Sequence, residues 1–154
     1  MQREIRNKKR GISEVEAREL LERSEHGVLS TCDADGQPYG IPLSYCMIDN
    51  GIYFHCAVAG HKLENLAANN RVSFCVVGTT EVLPDLFATR YESVIVSGLA
   101  TEVFDAEKQR GLVALVAKYS ADFVPEGLHY IDSASKATKV FRIDIAAISG
   151  KARR

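Results

Sequence analysis

The sequence predicts an α+β, mainly β fold: a closed or partly closed antiparallel barrel with peripheral helices, in a single domain over residues 1–154. Three observations predict it. Short apolar runs that alternate with polar residues are separated by the turn pairs Asp35-Gly36 and Asn50-Gly51, which supply the positive φ that tight hairpins demand. Helical patterns stand at the start, in the middle and late in the chain rather than after every strand. Gly27, Gly36, Gly40, Gly51 and Gly60 show no G-x-G-x-x-G spacing, and a doubly wound nucleotide-binding sheet is therefore disfavoured.

In chain order, Ser13 and Glu16 form a capping box, and Val15, Leu20 and Leu21 give an apolar stripe, so a helix is expected from about Ser13 to Ser24, ended by Gly27. Gly27 to Val58 reads as an antiparallel meander of three strands and two turns. Asp33-x-Asp35-Gly36 lacks the later ligands of a calcium loop and reads as a hairpin turn. His61 to Ala68 is a short helix, Arg71 opens a fourth strand and Tyr91 a long fifth one. Asp105 is the expected N-cap of a helix carrying Leu112, Leu115, Val116 and Tyr119. The stretch from Ala121 to Ala137 reads as loop with one helical turn after Pro125, and TKVFRIDIAAIS as the closing strand.

A chain of 154 residues can bury roughly two thirds of the surface that it exposes unfolded, enough for a core of its own. Its 19 basic residues against 20 acidic ones leave a formal charge of -1, so no global field recruits nucleic acid or an anionic membrane. Basic residues at Arg3 to Arg10 and Lys151 to Arg154 read as solvated tails. No apolar run is long enough for a membrane helix, none follows Met1 to Arg10 as a signal segment would, and a cytoplasmic protein is expected. Cys32, Cys46, Cys56 and Cys75 are far apart within strand-like runs and read as small buried hydrophobes, without disulfides or a metal site.

The segment Gly60-His61-Lys62 joins a strand to the start of a short helix. Glycine permits close backbone approach, the helix start offers unpaired N–H groups and lysine adds positive charge, a combination suited to a small anion. On residues alone, Lys62 fits a phosphate ligand and a solvated helix-start lysine equally well. His61, in the first helical turn, is placed to accept or relay a proton.

The order of GVLST, PYGIPLSY, IYFHCAVAGHK, NNRVSFCV, YESVIVSGLA and VFRIDIAAISGK resembles the flavin-binding split-barrel proteins related to pyridoxamine 5'-phosphate oxidase. Within them the chain is most similar to the nitroimidazole-resistance (Nim-type) group, on the loop from Phe54 to Lys62 above all. The resemblance implies a six-stranded antiparallel split barrel that forms a homodimer, with FMN held at the subunit interface. It implies that Pro42, Leu43 and Ser44 lie beside the flavin ring, with His55 and Ala57 on the neighbouring strand. Gly60, His61 and Lys62 would hold the phosphate end, aided by Tyr91 and Ser93, and His61 would stand near the substrate as the catalytic side chain. Phe87, Arg90 and Glu92 would shape the pocket.

The function so implied is an FMN-dependent oxidoreductase that reduces nitroaromatic or nitroimidazole-like electron acceptors. The alternative is a non-catalytic module that stores or senses flavin. Haem or a deazaflavin occupies some related barrels. Oxidation of pyridoxamine 5'-phosphate ranks lowest, because it calls for basic side chains near the ring that the motifs lack.

Overall fold

The computed structural model describes residues 3–154. A 3-10 turn at Lys8–Arg10 precedes the first strand, β1 (Gly11–Ile12), which is followed by α1 (Glu14–Arg23). The predicted capping box is present: the Ser13 amide donates to the Glu16 carboxylate at 3.0 Å and the Glu16 amide to the Ser13 hydroxyl at 3.2 Å. The helix stops at the C-cap Ser24 rather than at Gly27. Gly27 instead opens β2 (Gly27–Cys32), where a Cβ would lie 2.4 Å from the Phe74 ring. Glycine is needed there for close approach, and helix termination is incidental.

The rest comprises β3 (Pro38–Leu43), β4 (Cys46–Ile48), β5 (Gly51–Ala57), α2 (His61–Ala68), β6 (Arg71–Leu83), β7 (Ala88–Val103), α3 (Asp105–Tyr119), α4 (Val124–Ala134) and β8 (Thr138–Arg153). Asp35-Gly36 turns as expected: Gly36 has φ 87° and the Asp33 carboxylate accepts from the Asp35 and Gln37 amides at 2.9 and 2.8 Å. At the second turn the positive φ falls on Asp49, at 52°, and Gly51 is already strand. Asp105 begins α3 but caps nothing; Phe104 holds the N-cap position without a side-chain bond.

The segment expected to be loop is the helix α4. Pro125 sits in its first turn, where a missing N–H costs nothing. Gly127 lets α4 settle on α3, since a Cβ there would meet Val116 at 2.4 Å.

The mainly antiparallel sheet has eight strands, not six, and it is not closed. Its order is β3-β2-β6-β7-β8-β5-β4, with β1 added beside β8. The extra strands arise because the PYGIPLSYCMIDN run divides at Ser44-Tyr45 and because Gly11–Ile12 pairs Gly150–Lys151. At the division the Tyr45 amide donates to the Tyr119 hydroxyl at 3.0 Å instead of to a strand, which interrupts the ladder. The edge strands β3 and β4 are joined by only Ser44 and Tyr45, so the sheet must curl until its two edges nearly meet.

Inside the curl lie Leu29, Phe54, Phe74, Val76, Val94 and Val96, all wholly buried, with Leu20, Leu21 and Ala17 of α1 closing one end. A second, smaller cluster under α3 and α4 gathers Tyr53, Leu112, Leu115, Ile131 and Val140. Each of the four cysteines is free, and only Cys46 is fully buried. No helix among the described residues is long and apolar enough to cross a membrane.

Candidate functional site

Between the exit of β5 and the pair α3–α4 lies a cavity of about 690 Å³. Ser44, His55, Cys56 and Ala57 form one wall; Leu115, Val116 and Tyr119 of α3 face Tyr130, Ile131 and Ala134 of α4 across the rest. No Lys, Arg, Asp or Glu lines it. Its size falls within the range of small-molecule and cofactor sites.

Strand alternation puts His55 and Ala57 on the open side of β5 while Phe54 points into the core. His55 is exposed toward the cavity, yet partial desolvation by its surroundings, helped by the nearby Lys62 charge, holds its pKa below the usual histidine value. Its imidazole is therefore uncharged at neutral pH. The Cys56 thiol is pushed up by burial, with Lys62 and Lys139 opposing the shift. The Lys62 charge is thus felt by two residues of the cavity wall. Its Nζ stands 5.7 Å from the centre of the Phe54 ring.

α2 is anchored by a buried hydrogen bond from the Asn65 amide to the Thr31 hydroxyl at 3.0 Å, and by Leu66 beneath it. Its N-cap, Gly60, has φ 140° with nothing within 4 Å of where a Cβ would lie, a conformation that favours glycine, and no side chain caps the helix start. His61 does not line the cavity. Its ring stacks on Tyr39, centroids 4.0 Å apart and tilted by 31°.

Ser44 owes its position to two tyrosines. Tyr45 is fully buried and donates its hydroxyl to the Leu21 carbonyl, with the Phe74 ring edge-on at 4.8 Å. Burial raises its pKa. Tyr119 accepts from the Tyr45 amide and donates to the Glu25 carbonyl, tying the end of α3 to the strand crossing. Lys118 lies behind, its Nζ 3.9 Å from the Tyr45 ring centre, buried without a hydrogen-bond partner and with a pKa lowered by burial.

Of the residues expected at the site, Ser44, His55 and Ala57 share the cavity; Lys62 does not line it, but its charge bears on His55 and Cys56. Pro42 and Leu43, paired with Val28 and Gly27, lead into Ser44 along β3. Tyr91 and Ser93 do not join them within one chain. Ala57 pairs with Thr138, the first residue of the 16-residue β8, whereas Tyr91 pairs with Arg153, the last. Phe87, Arg90 and Glu92 do not line the cavity either: Phe87 is 96% exposed at a hairpin tip, Arg90 pairs with Glu81, and Glu92 with Arg23 of α1. The α3–α4 wall, Tyr119 and Tyr39 were not expected at the site. Tyr119 stands on the predicted helix stripe, but its hydroxyl reaches a residue 74 positions away, which no local pattern encodes.

Residues 13–152 match the family described as Pyridoxamine 5'-phosphate oxidase. The chain belongs to that family. Solved structures share its fold. The conserved hypothetical protein Rv2991 of Mycobacterium tuberculosis is 23% identical with a TM-score of 0.83, over 98% of this chain and 91% of that one. A candidate 5-nitroimidazole antibiotic resistance protein of Bacteroides thetaiotaomicron is 20% identical with a TM-score of 0.75, over 92% and 85%. An FAD-binding protein of Mesorhizobium loti is 27% identical with a TM-score of 0.68, over 94% and 98%. No curated protein matches the chain.

Proposed function

We propose that this family member binds FMN, with the ring against Ser44, His55 and Ala57 and the phosphate toward Gly60, His61 and Lys62. We further propose that it reduces a nitroaromatic or similarly electron-poor acceptor. The observation that carries the reading is the Lys62 charge beside a cavity that no charged side chain lines: an apolar slot for a ring, and Lys62 with an uncapped helix start for a monophosphate. The FAD-binding protein of Mesorhizobium loti supports a flavin ligand, without favouring FMN over FAD. The phosphate position is supported by the open space at Gly60, where a Cβ has no neighbour to displace but the φ of 140° would strain it.

Flavin, when bound, supplies the electron store for such a reduction. The chain's residues do the rest. Leu115, Val116 and Ile131 exclude water from the ring's surroundings, backbone groups from Ile41 to Ser44 meet its polar edge, and the uncharged His55 offers a hydrogen-bond partner without a competing cation. Proton handling at the rim falls to His61, held in place by Tyr39. Oxidation of a phosphorylated pyridoxamine is disfavoured, because nothing lining the cavity would neutralise a second phosphate.

Tyr91 and Ser93 can share the cofactor phosphate only if a second copy supplies them, which supports a homodimer. The outer face of β7 carries half-exposed Ile95 and Leu99 beside exposed Val77 and Val28, a strip that a second copy would cover. Binding of FMN and riboflavin to wild type and Lys62→Ala tests the assignment: FMN affinity should fall by about tenfold or more while riboflavin changes little, as expected for losing a charge-assisted contact. Equal losses would remove Lys62 from the phosphate. Bleaching of bound flavin by NADH or NADPH and recovery with a nitroimidazole would separate an enzyme from a storage or sensing module.

A further inference from the structure

A second cavity, of about 580 Å³, lies under the C-terminal half of α2, between that helix and the ends of β6, β7 and β8. Its size is that of a small-molecule site, and no residue that lines it lines the first cavity. Leu63, Leu66 and Ala67 stand at i, i+3 and i+4 and so turn one face of α2 toward it. Ala100 of β7 and Phe141 of β8 line it as well. Alternation along β8 sends Thr138 to the first cavity and Lys139 with Phe141 to the second.

Charged groups border this apolar floor. Lys139 pairs with Glu102 at 3.4 Å, half-buried, and Glu102 stands opposite Phe141. Arg71 stands opposite Leu99, so along β7 it is three residues from Glu102, about 10 Å, a span that suits a small molecule. Among the described residues no carboxylate lies within ion-pair distance of Arg71. The bend from α2 into β6 holds it in place: the Arg71 amide donates to the Asn69 side-chain oxygen at 3.0 Å, and the Ala100 amide to the Asn70 carbonyl at 2.9 Å. The Asn69 NH2 is left as a neutral donor on the same wall.

We propose that this cavity is a second ligand site, for a monocarboxylic acid with a compact apolar body. Two cations and one carboxylate line it, a balance of one positive charge that a single carboxylate matches and a doubly charged phosphate exceeds. The planar guanidinium of Arg71 suits the two oxygens of a carboxylate, with Asn69 as a further donor. The apolar body rests on Leu63, Leu66 and Phe141 and stops at the Lys139–Glu102 pair, which is already matched and calls for no second charge. The site stands whether or not the first cavity takes a flavin.

Calorimetric titration of the full chain with phenylpropionate tests the site. One molecule should bind per chain. Arg71→Gln should weaken binding by at least about tenfold, as should Ala67→Trp, which sets a ring in the cavity from an exposed helix position. Lys9→Gln makes the same change in net charge at the opposite end of β8 and should stay within about twofold. Phenylpropanol, the same body without the charge, should bind wild type at least about tenfold more weakly than the acid, a comparison that needs no variant. Saturating FMN, or Ala134→Trp in the first cavity, should leave the acid's affinity within about twofold. Absence of saturable binding to wild type, wild-type affinity in Arg71→Gln, or loss of the acid to FMN or to Ala134→Trp would each overturn the site. Equal binding of acid and alcohol would overturn the carboxylate assignment.

Discussion

Inside the curled sheet, Phe54 stacks on Phe141 at 5.5 Å and Phe74 meets Tyr45 edge-on, with Leu29, Val76, Val94 and Val96 filling the space between. Under α3 and α4 the same classes of residue leave a cavity of about 690 Å³. The sheet-enclosed region is packed by strands whose register is set by hydrogen bonds, with α1 across one end. The helical layer touches the sheet along one stripe only, so its packing is incomplete at the exit of β5. The contrast separates two jobs: the first region carries the stability of the fold, and the second carries the space that a ligand needs.

The largest effect should come from Phe74→Ala, which deletes a wholly buried ring and should cost about 3–5 kcal/mol in denaturant unfolding. Leu115→Ala, whose side chain already borders open space, should cost about 2 kcal/mol, at the low end for such a change. A larger cost for Leu115 than for Phe74 would break the contrast.

Filling the cavity should do the reverse. Ala134→Trp should leave the thermal midpoint nearly unchanged but weaken flavin binding by about tenfold or more, because the ring would take ligand space within a preformed site. Full flavin affinity in that variant would show that the ligand lies elsewhere.

Tyr119→Phe keeps the ring and removes the hydroxyl that joins the Tyr45 amide to the Glu25 carbonyl. A loss of about 1–2 kcal/mol is expected for leaving the part-buried amide without its partner. Flavin affinity should fall as well, since Ser44 loses its anchor; a stability change alone would make Tyr119 purely structural.

The smallest effect concerns pH. Because the folded state holds the His55 pKa below its ordinary value of 6.5, the unfolded chain takes up a proton near that pH that the folded chain refuses. Stability should therefore decline as pH falls below about 6.5 and level off beneath the folded pKa. His55→Gln should flatten that decline in urea midpoints measured at pH 7 and pH 5, and an identical decline would show that other groups dominate.

Much of this was legible in sequence wherever the signal is local. The Ser13–Glu16 capping box, the Asp35-Gly36 turn and the bounds of α2 depend on residues within a few positions of one another. The α4 helix extends well beyond the one turn expected after Pro125, because it packs on α3, where Gly127 admits Val116 of that helix. The split at Ser44-Tyr45 was missed because the competitor for the Tyr45 amide comes from Tyr119.

By itself the sequence determined the mainly β, α+β class, the capped helix α1, the helix α2 with its glycine-lysine start and the Asp35-Gly36 turn, since propensity, alternation and capping act over single turns and strands. Only the tertiary structure decided that the sheet stays open, that His55 faces a cavity while His61 stacks on Tyr39, and that Lys151 and Arg153 stand beside Ser93 and Tyr91. Those outcomes depend on register between strands remote in the chain and on which of several partners wins a backbone amide, and such competition is settled only when the whole sheet has assembled.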